Sequence, residues 1–313
     1  MKDTHIAFFT EAGHSRGMGH LVRSFAISEK FKSLGAKISF FLDSNIFFDS
    51  KFKEITYFDW GKFDLSDDYD IIFIDSYEAD MSIYQKIANA CKIAVYVDDF
   101  KRLNYPKGVI LNFAPDADEL FYKDKEEKYC YLLGLEYLPI RGEFLNAKIA
   151  KKEQIFIMLG GSDTANLSLK LIHSLKDVAI KKLIVSNDSD IVNSLKKYKD
   201  VEVLHKPLDI QLVEAMASST IAISTASMGT YELAYLKIPT IIIAVAKNQE
   251  IGVAQFIKYN IASDFISIKN KDWQCDLKSK VQRIFYQESH DINQSINGKG
   301  TENIAYEILE LIK

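Results

Sequence analysis

Two runs of this chain, Ile71-Ile72-Phe73-Ile74 and Ile93-Ala94-Val95-Tyr96-Val97, are apolar at every position. A strand with one wet face alternates apolar and polar residues. A strand without that alternation is covered on both faces, as in a parallel sheet flanked by helices. Runs of this kind predict strands at 4–9, 37–42, 54–58, 71–75, 93–97, 109–112 and 129–133. Between them, 21–34 and 80–91 carry apolar residues at helical spacing. Strand and helix patterns in alternation are the signature of a parallel α/β fold.

The polar, basic stretch 146–154 interrupts the pattern and reads as a linker. The alternation then starts afresh, with strands expected at 154–159, 182–186, 201–204, 220–224 and 240–245. Helices are expected at 164–177, 188–197, 209–217, 228–236 and 249–258, and two more in the tail at 274–287 and 301–312. A chain of 313 residues has room for two cores of about 150 residues each. The expectation is an α/β protein of two doubly wound, Rossmann-like domains, residues 1–147 and 154–313, facing a central cleft.

Composition removes several function classes. Acidic residues outnumber basic ones, 43 against 39, so no broad positive field exists to bind nucleic acid. No apolar run approaches the roughly 20 residues that cross a bilayer, so membrane insertion is not expected. The chain enters its first strand without a signal-peptide pattern. Cys91, Cys130 and Cys275 are far apart and form neither a zinc motif nor a disulfide framework, which fits reduced thiols in the cytoplasm. His5, His14, His173, His205 and His290 show no metal-ligand spacing, and no metal or cofactor is expected.

Candidate chemistry sits where strands run into helices. Gly17-Met18-Gly19-His20 lies between the first strand and the first helix. Gly17 and Gly19 let the backbone turn and approach a ligand. His20 then stands at the mouth of a helix, on the sheet edge where open α/β folds bind ligands, and suits a general base. Tyr77, just past the strand at 71–75, is placed to donate to a sugar. Asp98-Asp99 ends the next strand and reads as a structural cap rather than a metal site.

In the second half, Gly160-Gly161 follows a buried strand, and Ser162, Asp163 or Thr164 caps the next helix. The unpaired N–H groups there suit a phosphate. The small residues 224–229, with Ser227 and Met228 at the helix start, leave room for a diphosphate. Glu232, one turn further, is placed to accept from ribose hydroxyls. Asn248 and Gln249 follow the apolar strand 240–245 and carry amides toward a ligand. Each of these loops, taken alone, is also what an ordinary strand–helix turn looks like.

Taken in order, the motifs resemble a known family. They are Gly17-Met-Gly-His20 with Arg23, Ile74-Asp75-Ser-Tyr77, Val97-Asp98-Asp99, Leu111-Asn112 and Ile140-Arg141-Gly-Glu-Phe144. Met158-Leu-Gly-Gly-Ser-Asp163, Ser224-Thr-Ala-Ser-Met-Gly-Thr-Tyr-Glu232 and Lys247-Asn-Gln-Glu250 complete the series. The chain resembles the UDP-sugar hydrolases of the pseudaminic acid pathway and related spore-coat polysaccharide proteins. Ser76 stands where that family carries a histidine before the tyrosine. The resemblance implies the GT-B architecture, akin to the lipid II-forming N-acetylglucosaminyl transferase. The first domain would hold the sugar, and the second would hold the UDP of a UDP-amino-sugar substrate. It implies His20 as the base, with Tyr77 and Asn248 helping to hold sugar and leaving group, and Arg23 among the substrate-binding residues. The reaction implied is hydrolysis of a UDP-linked diacetamido-trideoxy sugar, with inversion at the anomeric carbon. A transferase of the same architecture, using His20 on an acceptor hydroxyl, is the alternative. A non-catalytic nucleotide-sugar-binding protein is the third.

Overall fold

Apolar runs of the first half pair side by side into one parallel sheet. The structure, a computed structural model, describes residues 4–13, 16–46, 54–65, 67–147, 149–160, 167–244, 249–287 and 289–312, with the backbone alone for 249–251. The first half contains β1 (His5–Ala12), α1 (Gly19–Ser33), β2 (Lys37–Ser44), β3 (Ile55–Phe58), β4 (Tyr69–Asp75) and α2 (Met81–Ala90). It continues with β5 (Cys91–Val97), β6 (Gly108–Asn112), the one-turn α3 (Ala117–Leu120) and β7 (Tyr129–Leu133). Among the described residues the strand order is β3-β2-β1-β4-β5-β6-β7, with every pair parallel.

The absence of alternation in these strands has its physical counterpart in two apolar layers. On one face Phe8 stacks on Phe73 with ring centroids 4.6 Å apart, and Phe31 of α1 covers them. On the other, Phe9, Ile72, Ile74 and Tyr96 pack with Ile83, Tyr84 and Ile87 of α2. Burying a large apolar side chain contributes about 1.5–3 kcal/mol, so a strand covered on both sides is held from both.

The second half repeats the design. It runs α4 (Gly142–Leu145), β8 (Lys152–Met158), α5 (Leu167–Ser174), β9 (Lys181–Ser186), α6 (Ser189–Leu195) and β10 (Val201–His205). Then come α7 (Asp209–Ser218), β11 (Ser219–Ser224), α8 (Met228–Tyr235), β12 (Thr240–Ala244), α9 (Gln249–Lys258), β13 (Asp264–Ser267) and α10 (Trp273–Phe285). The order is β10-β9-β8-β11-β12-β13, again all parallel. Ile155, Ile157, Ile221, Ile223, Ile241 and Ile243 form the centre of one face, covered by Leu171 and by Leu277 and Val281 of α10.

The last helix, α11 (Gly300–Glu310), departs from the expected boundaries. The sequence pattern gives the whole tail, within 154–313, to the second domain. The chain instead divides into one unit of Met1–Arg141 with Asn297–Lys313 and another of Gly142–Ile296. The reason is packing: α11 buries Thr301, Ile304, Ala305 and Ile308 against the first unit and lies along α1. A Cβ on Gly300 would come 1.9 Å from the Leu138 carbonyl oxygen, so the helix start sits directly on that backbone. Asn303 Nδ2 donates to the Glu136 carbonyl at 2.7 Å.

Candidate active site

Each sheet has one place where the chain reverses its direction of travel. In the first unit it lies between β1 and β4; in the second, between β8 and β11. Loops leaving adjacent strands diverge at such a point and open a crevice at the carboxyl edge, where α/β folds bind ligands. The residues singled out in the sequence flank these two points.

In the first unit the loop after β1 closes on itself. Gly13 and Gly17 exchange backbone hydrogen bonds, 3.1 and 2.8 Å long. Gly17 has φ +72, a conformation an L side chain rarely adopts. Helix α1 then begins at Gly19 and places His20, Arg23 and Ser24 on one face, at i, i+3 and i+4. That face meets Asp75, the last residue of β4.

Asp75 is the hub. It is 1% exposed. His20 Nδ1 donates to its Oδ1 at 2.5 Å. A carboxylate oxygen that close to a bare ring nitrogen would oppose two lone pairs, so Nδ1 carries the proton. Arg23 grips the same carboxylate with Nε and Nη2, both at 2.6 Å. Ser24 Oγ adds a third partner at 3.1 Å. Arg23 also reaches Asp99, after β5, with Nη1 at 2.8 Å and Nη2 at 3.0 Å. Its guanidinium lies over the Phe113 ring, 5.4 Å from the centroid. Burial alone would push the Asp75 pKa up. The guanidinium of Arg23 and the His20 ring outweigh it, and the carboxyl titrates well below the usual range. Asp99 is likewise lowered, burial being overcome by Arg23. Asp75 thereby occupies Nδ1 and fixes the tautomer, leaving Nε2 as the ring nitrogen to accept a proton.

Tyr77 stands beside this cluster. Its ring meets His20 edge-on, centroids 4.5 Å apart, and its hydroxyl donates to Asp99. Burial and the Asp99 charge raise its pKa far above that of a free phenol, so it stays a neutral donor. The loop carrying it is clamped from beneath by Glu11, at the end of β1. The Glu11 carboxylate is 1% exposed and accepts from Trp60 Nε1 at 3.0 Å, from Ser76 Oγ and from the Tyr77 backbone N–H at 2.9 Å. Ser76 Oγ in turn accepts from the N–H groups of Glu78 and Ala79. Serine at this position is therefore a turn-former tied to Glu11.

The adjacent acids after β5 have different tasks. Asp98 caps the turn, accepting from the N–H of Lys101 and Arg102 and from the hydroxyls of Tyr105 and Tyr122. Asp99 pairs with Arg23. Among the described residues no three His, Cys, Asp or Glu side chains converge as a metal site.

In the second unit, β8 and β11 pair Met158 with Ser224, so their trailing loops leave side by side. Gly160, φ +89, lies in the first, two residues past β8. Ser227 opens α8, and its side chain makes no capping hydrogen bond. Met228 and Gly229 follow as the first two helical residues, and Thr230 Oγ1 closes the turn onto the Thr225 carbonyl at 2.8 Å. Glu232 is buried in α8, 1% exposed. Gln249 opens α9. Gly161, Asp163 and Asn248 lie outside the described residues.

Of the expected residues, Gly17, Gly19, His20, Arg23 and Tyr77 gather at one switch point, and Gly160, Ser227 and Met228 flank the other. The sequence pattern gives Asp75 and Glu11 no role and makes Asp99 a cap, whereas only Asp98 caps the turn and Asp99 pairs with Arg23. The available signal was an acid closing an apolar run, with histidine and arginine one helical turn apart.

No family model matches the chain. It is 25% identical over 270 residues to an uncharacterized protein of Methanocaldococcus jannaschii, covering 76% of this chain and 55% of that protein. It is 26% identical over 279 residues to the pseudaminic acid cytidylyltransferase and UDP-2,4-diacetamido-2,4,6-trideoxy-beta-L-altropyranose hydrolase of Helicobacter pylori, covering 83% of this chain and 50% of the relative. The chain thus spans about half the length of the curated relatives it matches. Among solved structures, the M. jannaschii UDP-GlcNAc 2-epimerase in complex with UDP-GlcNAc and UDP superposes with a TM-score of 0.62 at 10% identity, over 98% of this chain and all of that one. CalG4, the calicheamicin glycosyltransferase, does so with 0.63 at 12% identity, over all of this chain and 99% of that one. At such identities the likeness concerns architecture, and the architecture is the expected one: two parallel-sheet α/β domains of the GT-B fold, shared with a glycosyltransferase and an epimerase.

Proposed function

We propose that the chain hydrolyses a UDP-linked diacetamido-trideoxy sugar to UDP and the free sugar, with inversion at the anomeric carbon. The observation that carries this reading is the buried Asp75–His20 pair at the first switch point, with Nδ1 occupied and Nε2 left to act. Nε2 takes a proton from water as the water oxygen attacks the anomeric carbon. The bond from that carbon to the glycosidic oxygen breaks, and its electron pair leaves with UDP. Attack opposite the leaving group inverts the centre. Asp75 sits beside the positive charge then formed on the ring, as the carboxylate of a catalytic triad does.

Binding of the nucleotide falls to the second unit. The first N–H groups of α8, with Ser227 not capping them, suit the diphosphate, and Gly160 and Gly161 permit close approach. Asp163, Glu232, Gln249 and Asn248 are assigned to the nucleotide and leaving group by the motif order. The name of the Helicobacter relative and the UDP-GlcNAc complex of the epimerase support a UDP-sugar ligand.

The second reading, a transferase using His20 on an acceptor hydroxyl, is supported by the name of CalG4, a glycosyltransferase of the same fold. The two part on one assay. Purified protein is incubated with UDP-2,4-diacetamido-2,4,6-trideoxy sugar and no acceptor, and UDP is followed by chromatography. Steady release of UDP with free sugar supports the hydrolase, and release only on addition of an acceptor supports the transferase. Binding without any turnover would leave a nucleotide-sugar-binding protein.

A further inference from the structure

Two half-exposed aromatic rings stand on a clamped surface, one against His20 and the second against the first. Tyr77 is 45% exposed and Phe100, on the turn after β5, is 49% exposed. Their centroids are 5.6 Å apart at 55°, and Tyr77 meets the His20 ring edge-on at 4.5 Å. Tyr77 thus touches both the imidazole and the Phe100 ring. Most large aromatics of the first unit's centre, such as Phe8, Phe31, Phe73, Tyr84 and Tyr96, are buried.

The outward pose of Phe100 is built in. Asp99, before it, is held by Arg23 and by the Tyr77 hydroxyl. Lys101, after it, has φ +56, and its N–H donates to Asp98 at 2.6 Å. The residues on both sides of Phe100 are tied, which holds its backbone in place. Polar groups of the cluster are otherwise engaged with one another: Arg23 with Asp75 and Asp99, and Tyr77 with Asp99. What Tyr77 and Phe100 add beside the partly exposed Asp99 carboxylate is aromatic surface. A hydroxyl laid on the face of the Phe100 ring would lose water without gaining a partner there, whereas a methyl group loses nothing and covers the ring.

We propose that Tyr77 and Phe100 form the subsite for a methyl-bearing, deoxygenated edge of the sugar, and that Phe100 is the specificity-determining residue which distinguishes such sugars from fully hydroxylated ones. This rests on His20 acting on a nucleotide sugar, and its test does not depend on turnover. Titration calorimetry compares UDP-2,4-diacetamido-2,4,6-trideoxy sugar, UDP-GlcNAc and UDP on the parent, Phe100→Ala and Phe100→Leu.

The expected result is a roughly 10-fold weaker Kd of Phe100→Ala for the trideoxy sugar, about 1.4 kcal/mol, with UDP and UDP-GlcNAc changed less than about twofold. Leucine restores most of the loss. Where the parent turns substrate over, the alanine variant loses in KM and keeps kcat. Equal weakening toward all three ligands, or no change toward the trideoxy sugar, overturns the subsite. A parent that shows the methyl preference but releases no UDP keeps the subsite and removes the hydrolase reading. A parent that binds none of the three removes both.

Discussion

Asp75 accepts from His20 Nδ1 on one oxygen while Arg23 spans both of its oxygens, so the candidate base and its counter-charge are positioned by a single carboxylate. Replacing that carboxylate by an amide tests the relationship. Asn at 75 can present its NH2 to Nδ1, which turns the imidazole to the tautomer with its proton on Nε2, the wrong nitrogen for a base. For Asp75→Asn, UDP release is expected to fall on the order of 10²–10³-fold in kcat, with Kd for UDP unchanged. A variant that keeps the parent's rate removes Asp75 from the mechanism. Nitrogen-15 shifts of His20 read the tautomer directly.

The same carboxylate governs acid stability. Asp75 and Asp99 titrate lower in the folded chain than in the unfolded one, because Arg23 more than offsets the effect of burial. The unfolded state therefore takes up protons first as the pH falls. The stabilisation is fully present above the ordinary carboxyl pKa of about 4 and is lost as the pH drops below it, toward the lowered folded values. Urea midpoints between pH 7 and pH 3 should stay level and then fall, and Asp75→Asn should flatten the fall. An equally steep acid limb in the variant would assign the effect elsewhere.

Glu11 supports the loop that bears Tyr77 without touching the base. Its buried carboxylate faces donors only: an indole N–H, a hydroxyl and a backbone N–H. Glu11→Gln puts an NH2 among those donors and leaves at least one unpaired, which costs about 1–3 kcal/mol. The expected outcome is lower stability of the first unit together with weaker sugar binding, while Kd for UDP stays near that of the parent. Trp60→Phe removes one donor only and should show a smaller effect in the same direction.

Thr10 gives the opposite sign. It pairs with Asp75 across β1 and β4, is fully buried, and its hydroxyl has no hydrogen-bond partner among the described residues. Thr10→Val keeps the shape and removes the orphaned oxygen, and should raise stability by about 1 kcal/mol. Denaturation of the variant measures it; a loss of stability would mean the hydroxyl has a partner when the chain is in water.

What could be read from the residues divides along physical lines. Continuous apolar runs declare themselves, and the strands at 71–75 and 93–97 appear as β4 and β5 within two residues of their expected ends. Asp264–Ser267, by contrast, is a four-residue edge strand with two polar members, and its pattern is too short to separate from a loop. His20 was legible because a histidine at a helix mouth after a glycine turn is locally unusual. Asp75 and Glu11 owe their importance to partners 55 and 65 positions away in the chain, and such pairing is set by strand order, which no local pattern carries. The tail failed for the same reason. Apolar positions 304, 305 and 308 reveal an amphipathic helix but not which surface receives it.

That surface supplies the last prediction. Ile304 and Ile308 are fully buried, and α11 lies along α1, the helix that carries His20 and Arg23. Truncating Ile304 to alanine opens a cavity and should cost about 2–4 kcal/mol. Because α11 belongs to the same unit as Met1–Arg141, the loss should register in the first unit. Hydrogen exchange of Ile304→Ala should show faster exchange in α1 and β1, with β8, β11 and β12 near their parent rates. Activity should fall as α1 loosens, while Kd for UDP, assigned to the second unit, holds. Faster exchange centred on β11 and β12 would instead return the tail to the second domain and cut the link between the chain's end and its candidate base.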